Sequence, residues 1–153
     1  AAVSGKEIRS KTHRLIKDRA YLLLQPIQQL SDSEFQIHEN ENRLQDPISM
    51  SFELVVDLGE TSKNCIYVDK DLVSYPLIIR KWRVGDWFRP FGMKGAKKVS
   101  KFFKDEKMDL IAKEQQWLLV SGEDIVWIIG RRGDDRFRVS EGTRHILKIE
   151  LLK

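Results

Sequence analysis

The apolar residues of this 153-residue chain occur in short runs bounded by turn residues, and this pattern restricts the folds that the chain can adopt. The runs are rich in Ile, Val, Leu and aromatic residues, and Gly, Asn, Asp and Pro separate them, as expected of β-strands and their connections. In the last run, Leu147, Ile149 and Leu151 alternate with Lys148 and Glu150 at the period of two that a half-buried strand requires. Strands are therefore predicted at residues 52–58, 66–73, 77–82, 117–120, 125–129 and 146–152.

The remaining segments complete an α+β pattern. Two short strands are expected before residue 25, with Lys17–Asp18 as the turn between them, and residues 32–47 are predicted to be loop-like. Residues 97–107 are predicted to form a helix, and a second helical turn is expected at 111–114. At about 100° per residue, Lys97, Lys101 and Lys104 fall within one sector of about 60° of that helix, and Val99, Phe102 and Phe103 lie opposite. One helix face would be apolar and the other a stripe of lysines.

Positive charge is concentrated in residues 80–107, which hold ten Lys or Arg against three acids, a local charge of +7 in a chain of net charge +4. Six of the fourteen aromatic residues are interleaved with these cations. Such a segment favours a polyanionic partner, because each phosphate contact releases condensed counterions from a nucleic acid. Among the aromatics, Phe88, Phe102, Phe103, Trp82 and Trp127 are assigned to the core, since buried rings dominate core energetics.

The rest of the composition limits the other classes of function. Residues 31–62 carry a net charge of −7, which is interpreted as a solvated acidic edge. The single Cys65 excludes an internal disulfide, so a reducing cytoplasm is the expected compartment, and it is expected to be a core residue. No apolar run approaches the roughly 20 residues that cross a bilayer, so no membrane partner is expected.

The search for catalytic chemistry gives no candidate. Two common nucleotide-binding motifs, G-x-x-x-x-G-K-[ST] and G-x-G-x-x-G, do not occur, and the three histidines show no metal-ligand spacing. Gly92-Met-Lys-Gly95 matches the GXXG loop of KH domains, although the flanking sequence lacks KH helices. Neither a catalytic residue nor a metal ligand is therefore predicted in this chain.

The string YPLIIRKWRVGDWFRPFGMKGAKKVSKFF, at residues 75–103, resembles the C-terminal region of tRNA(Ile)-lysidine synthetase. The pattern of that family is roughly PL.IR..R.GD.F.P.GM.G.KKLS.FF. The resemblance continues at residues 125–130, at Asp134-Asp-Arg-Phe-Arg-Val139 and at Thr143, and the N-terminal SGKEIRS and HRLIKDRAYLLL are also similar. This chain departs from the pattern at Val99, where Leu is common, at Lys113, where Arg is expected, and at Gly133, where a β-branched residue is usual.

The resemblance implies a fold and a function. The fold would be a strand-rich, layered β-sandwich-like α+β domain with one or two short helices, similar to a domain of the phenylalanyl-tRNA synthetase β chain. Residues 75–153 would be the substrate-binding domain, and residues 1–74 a strand-rich linking segment packed on it. The family uses ATP, with Mg²⁺, to attach lysine to the wobble cytidine of an isoleucine tRNA with a CAU anticodon. That chemistry belongs to an N-terminal PP-loop domain whose Ser-Gly-Gly-x-Asp-Ser signature does not occur here, so no cofactor is expected in this part.

The segment 80–107 supplies the predicted contacts with tRNA. The lysines expected to contact the tRNA backbone are Lys94, Lys97, Lys98, Lys101 and Lys104. The arginines expected to line the adjoining groove are Arg80, Arg83 and Arg89. Gly92 and Gly95 would let backbone N–H groups approach a phosphate. Neutralising three to five phosphates predicts a log–log salt slope of roughly −2 to −4.

The partners that the resemblance implies are tRNA and the N-terminal catalytic domain of the same chain. Two alternatives to this tRNA-binding function remain open at this stage. The first is a generic RNA-binding module without its own specificity. The second is a dimerisation module, in which the acidic block at 31–62 meets the basic block of a second copy.

Overall fold

The computed structural model describes residues 33–152 and, before them, the backbone of strands at 6–9, 13–18 and 21–26. In chain order the strands are β1 (Lys6–Arg9), β2 (His13–Asp18), β3 (Tyr21–Pro26), β4 (Phe35–Ile37), β5 (Arg43–Leu44), β6 (Met50–Val55), β7 (Cys65–Asp69), β8 (Leu77–Lys81), β9 (Trp87–Phe88), β10 (Lys97–Lys98), β11 (Trp117–Ser121), β12 (Asp124–Ile128), β13 (Arg132–Gly133) and β14 (Ile146–Leu151). The helices are α1 (Val99–Asp105) and α2 (Leu110–Gln115), and single 3-10 turns lie at Lys70–Leu72 and Asp135–Phe137.

Two large antiparallel sheets build the body of the domain. The five-stranded sheet has the order β13-β12-β11-β8-β4, and the four-stranded sheet has the order β5-β6-β14-β7. Strands from both halves of the chain share each sheet, since β4 pairs with β8 and β14 pairs with both β6 and β7. The division at residue 75 stays a prediction about separate folding units. The N-terminal strands form a third sheet in the order β1-β2-β3.

Both faces of the five-stranded sheet are covered by other elements, and the sequence of β11 is typical of a strand buried on both faces. Its residues are apolar without alternation, and successive side chains of a strand point to opposite faces. Leu119 joins a core shared with Phe52 and Ile149 of the four-stranded sheet. Its neighbour Leu118 joins a second core with Phe103 of α1. The result is a sheet–sheet–helix arrangement, which confirms the predicted strand-rich α+β sandwich with few short helices.

The predicted helix at 97–107 begins later and ends earlier than the sequence pattern indicates. Lys97 and Lys98 form β10 and pair with Phe88 and Trp87, so their backbone belongs to a strand pair and not to α1. The N–H of Val99 donates to the carbonyl of Asp86 at 2.9 Å, which ties the first residue of the helix to the preceding turn. Tertiary pairing therefore overrides the local helical periodicity at this end.

Other predicted boundaries also change. Residues 32–47 contain the short strands β4 and β5, which sheet pairing creates in a polar segment that was predicted to be loop. The predicted strand at 66–73 ends at Asp69, because the Asp69 side chain accepts from the N–H of Asp71 at 3.0 Å and starts a 3-10 turn. In the N-terminal sheet, three strands replace the two predicted, and β2 runs through the expected turn at Lys17–Asp18 as far as Asp18. The second helical turn is confirmed as α2.

Candidate nucleic-acid interface

The strand pair β9–β10 sorts its side chains by face. Directly opposite residues of an antiparallel pair share a face. Phe88, opposite Lys97, is fully buried, with its ring edge-on to Phe102 at a centroid distance of 5.3 Å. Trp87, opposite Lys98, lies on the outer face with 43% of its surface exposed. The pair therefore buries one aromatic in the core and presents the other to solvent beside a lysine.

Two arginines flank the exposed Trp87 ring. The guanidinium carbon of Arg136 lies 4.7 Å from the ring centroid, and that of Arg89 lies 5.9 Å from it. Guanidinium groups at such distances interact favourably with the ring quadrupole. An exposed aromatic ring among cations can stack an unpaired base and hold its phosphates at the same time.

A buried carboxylate fixes this arrangement. Asp134, whose side chain is 0% exposed, accepts from the backbone N–H of Arg89 at 2.8 Å. It also accepts from the N–H of Arg136 at 2.8 Å and from the Nε and Nη2 of Arg136 at 3.0 and 2.9 Å. These hydrogen bonds to Asp134 raise the pKa of Arg136 above its ordinary value. The two segments that flank Trp87 are therefore held together by one side chain.

Backbone hydrogen bonds extend the same junction. The N–H of Asp135 donates to the carbonyl of Arg89 at 2.7 Å, and the N–H of Phe91 donates to the carbonyl of Gly133 at 2.9 Å. The Nη2 of Arg132 donates to the carbonyl of Phe91. Loop 89–95 is thus docked on residues 132–136, and the side chain of Phe91, 52% exposed, projects from it.

Helix α1 continues the basic surface. Its buried residues are Val99, Phe102 and Phe103, and Lys101 and Lys104 are exposed on the other side, as the helical arithmetic predicts.

Lys97, which precedes α1 and is half-buried, pairs with Asp105, and Lys101 reaches the same carboxylate at 3.4 Å. The hydrogen bond from Lys97 lowers the pKa of Asp105, with a further contribution from Lys101. One acid is therefore shared between two of the predicted contact lysines.

Two of the predicted arginines have internal partners. Arg80 is only 7% exposed and forms a two-pronged pair with Asp86, at 2.9 and 3.0 Å. Because its guanidinium lies under the surface, Arg80 does not line a groove open to RNA. Arg83 is exposed and pairs with Glu34 at 2.7 Å, so the acidic block neutralises part of the basic segment within the same chain.

The structure also distinguishes the two predicted loop glycines. Gly92 and Gly95 have φ of 81° and 93°, the left-handed region that favours glycine. The N–H of Gly92 donates to the Oδ1 of Asp135 at 3.2 Å, so this donor is already used inside the loop. A phosphate contact by the Gly92 N–H is therefore not supported, and the Gly92 contribution lies in shaping the turn.

Sequence reasoning did not select Trp87 or Arg136 as site residues. The signal for Trp87 was its place in the aromatic and basic segment, at a position that pairs with Lys98. The signal for Arg136 was the Asp-Asp-Arg-Phe-Arg string, which lies about fifty residues further along the chain. The contacts of Asp134 and the backbone hydrogen bonds between residues 89–91 and 133–135 bring the two together.

Within the ranges that the structure covers, no three His, Cys, Asp or Glu side chains are arranged to hold a metal ion. Nor does any described helix have the length and apolar character of a membrane span. Cys65 is buried, as expected of a core residue, and burial raises the pKa of its thiol.

Comparison with known proteins gives consistent similarities. The family described as "TilS substrate C-terminal domain" matches residues 77–151, and that described as "TilS substrate binding domain" matches residues 1–27. The tRNA(Ile)-lysidine synthase of Parabacteroides distasonis is 43% identical over 152 residues, which cover 97% of this chain and 35% of that protein. The enzyme of Bacteroides thetaiotaomicron is 37% identical over 145 residues, which cover 94% of this chain and 32% of that protein.

A solved structure described as "Crystal structure of TILS C-terminal domain" has the same fold. Its TM-score is 0.64 at 20% sequence identity, and the match covers 79% of this chain and 99% of that one. The chain thus spans about a third of the length of the curated relatives that it matches, 35% and 32% of the two described above.

Proposed function

Because this chain belongs to the tRNA(Ile)-lysidine synthase family, as a C-terminal region of it, we propose that it binds and positions tRNA for a catalytic domain elsewhere in the same protein. The observation that carries the proposal is the exposed Trp87 ring between Arg89 and Arg136, held by the buried Asp134. A surface of this kind is suited to phosphates and to an unpaired base.

The phosphate contacts are assigned by the partners that each cation already has. Within residues 33–152, Arg89, Lys94, Lys98 and Lys104 form no ion pair, so their charge faces solvent. Lys97 and Lys101 share Asp105 and become available when a phosphate replaces that carboxylate. Arg83 contributes at the periphery, and the backbone beside Gly95 remains a candidate phosphate contact. Arg80 is left out, because it is buried against Asp86.

The activity of the whole protein is a proposal that follows from the family. It would use ATP and Mg²⁺ in an N-terminal PP-loop domain to attach lysine to the wobble cytidine of an isoleucine tRNA with a CAU anticodon, in the cytoplasm. The present chain would contribute no catalytic residue and no cofactor site. It would hold the tRNA while the other domain carries out the ligation.

The test is a titration of this chain with isoleucine tRNA bearing a CAU anticodon, at several salt concentrations, beside initiator tRNA with the same anticodon. Four cations without ion pairs predict a log–log salt slope of about −3 to −4 on duplex phosphates. Substituting Lys98→Glu and Lys104→Glu together should reduce affinity at least tenfold and flatten the slope by about 2. The matched control is Arg43→Glu, an exposed cation on β5, and it should leave both unchanged.

Each result decides between the proposal and its alternatives. Salt-dependent binding with preference for the isoleucine tRNA supports a substrate-recognition role. Equal affinity for both tRNAs and for unrelated duplex RNA indicates a generic RNA-binding module. Unchanged affinity in the double variant overturns the assignment of the phosphate contacts to these lysines. No RNA binding, together with salt-sensitive self-association on a sizing column, overturns the proposal in favour of dimerisation.

A further inference from the structure

An open groove lies between the two large sheets, outside the face around Trp87. One wall is β7, the edge strand of the four-stranded sheet, and the other is β13, the edge strand of the five-stranded sheet. Its volume is about 450 Å³, within the range of roughly 300–1,000 Å³ that small-molecule sites occupy. A backbone bridge joins Val68 of β7 to Arg138, which follows the 3-10 turn after β13. A volume of this size suits one nucleotide-sized ligand rather than a duplex.

The floor of the groove is apolar, and its depth depends on one glycine. Ile66 of β7 and Phe91 line it, above the buried core residues Val68 and Val126. Gly133 has no side chain, and a Cβ at that position would lie 3.7 Å from the Cγ2 of Ile66, which is an ordinary contact. A side chain at residue 133 would therefore project into the space between the walls. The Gly133 backbone does not have the positive φ that would strain another residue.

The rim of the groove is cationic. Lys63, Arg131, Arg132 and Arg138 line it, and the one acid among its described lining residues, Asp134, is already paired with Arg136. Arg132 donates through Nη2 to the carbonyl of Phe91, and its Nε is buried without an acceptor among the described residues. An apolar floor with a positive rim matches a ligand that has a flat apolar part and an anionic part.

From this combination we propose that the groove holds one unpaired nucleotide of the bound RNA, with its base against Ile66 and the exposed ring of Phe91 and its phosphate against the arginines of the rim. Phe91 connects the two sites, because its side chain lines the groove and its loop flanks Trp87. A strand crossing the Trp87 face would thus deliver its next nucleotide to the groove. The proposal rests on the proposed RNA-binding function and adds a second site to it.

The experiment compares a short blunt RNA duplex with the same duplex carrying a four-nucleotide single-stranded 3′ overhang or 5′ overhang. Base stacking and burial predict that at least one overhang binds about tenfold more tightly than the blunt duplex. Gly133→Val, which fills the groove, should abolish most of this advantage and leave blunt-duplex affinity unchanged. Arg138→Gln tests the rim without a folding risk, since the Arg138 side chain is 57% exposed and lies 3.9 Å from its acid partner. Arg43→Gln removes the same charge at the far edge of the four-stranded sheet and should have no effect.

The outcomes separate this proposal from the function on which it rests. Loss of the overhang advantage in both groove variants, with native unfolding midpoints, supports the nucleotide site. If overhang and blunt duplexes bind equally, or if the advantage survives in both variants, the groove proposal is overturned while RNA binding by the Trp87 face stands. If Lys98→Glu also leaves RNA affinity unchanged, both fall. One pair of results would assign the groove to a peptide instead. In that case AMP and CMP do not shift the amide resonances of Ile66, Val126 or Gly133, and an extended peptide binds in the groove.

Discussion

Substitution of Asp134 by Asn should destabilise the domain far more than the same substitution at Asp124, although both carboxylates pair with Arg136. The Asp134 side chain is fully buried, whereas that of Asp124 is 53% exposed and 3.1 Å from its partner. Each oxygen of Asp134 accepts two hydrogen bonds, from the N–H of Arg89 and Nη2 of Arg136 at one, and from the N–H and Nε of Arg136 at the other. Asn retains only one acceptor oxygen. Its NH2 group replaces the other oxygen and faces the two donors that this oxygen accepted from, so those two hydrogen bonds are lost.

The size of the effect follows from those contacts. Two lost hydrogen bonds to a charged group cost about 1.5–3 kcal/mol each, and partial exposure of Arg136 lets water recover part of this. We expect a loss of about 2–4 kcal/mol for Asp134→Asn and less than about 1 kcal/mol for Asp124→Asn. With an m-value of about 2 kcal/mol/M, the urea midpoint falls by about 1–2 M in the first variant and by less than about 0.5 M in the second.

The assay is urea unfolding followed by circular dichroism on both variants and the unsubstituted chain, with the m-value fitted for each. A change in midpoint at constant m reports stability alone. Midpoints within about 0.5 M of each other would refute the reasoning that the buried carboxylate is the anchor between loop 89–95 and residues 132–136.

Three further predictions concern charge. Arg80→Met should lower the free energy of unfolding by about 3 kcal/mol, because it breaks a buried pair, and leave the salt slope of tRNA binding unchanged. Arg89→Gln should instead reduce that slope by about 0.7–0.9 and leave the free energy of unfolding within about 0.5 kcal/mol. The reverse pattern contradicts the assignment of both residues. Asp105→Asn should strengthen tRNA binding about two- to fivefold by releasing Lys97, and weaker binding would count against the lysine surface. Because Lys97 lowers the pKa of Asp105, the stability from this pair is fully present above the ordinary value of 3.8 and is lost as pH falls below it. The stability difference between Asp105→Asn and the unsubstituted chain, measured by thermal unfolding from pH 2 to pH 6, should therefore shrink towards low pH.

Local sequence patterns predict the strands and the helix where the spacing of apolar residues matches the period of the element. The alternation at 146–152 gives β14, and the apolar runs at 117–120 and 125–129 give β11 and β12 within one residue at each end. The face separation of α1 is likewise visible in the sequence. Strands as short as β9, β10 and β13 leave no such pattern, because two residues cannot show a period and their pairing partners are set by the tertiary fold.

The basic segment itself, its net charge and its interleaved aromatics are determined by the sequence alone. The tertiary structure decides which of its cations can meet a ligand. Arg80 and Arg89 lie in the same segment, yet the first is buried by the turn that brings Asp86 to it, and the second is exposed beside Trp87. The physical reason is that charge is a property of composition, whereas availability depends on desolvation and on partners. The position of Arg89 depends on Asp134, which lies 45 residues away in the chain and accepts from the backbone N–H of Arg89.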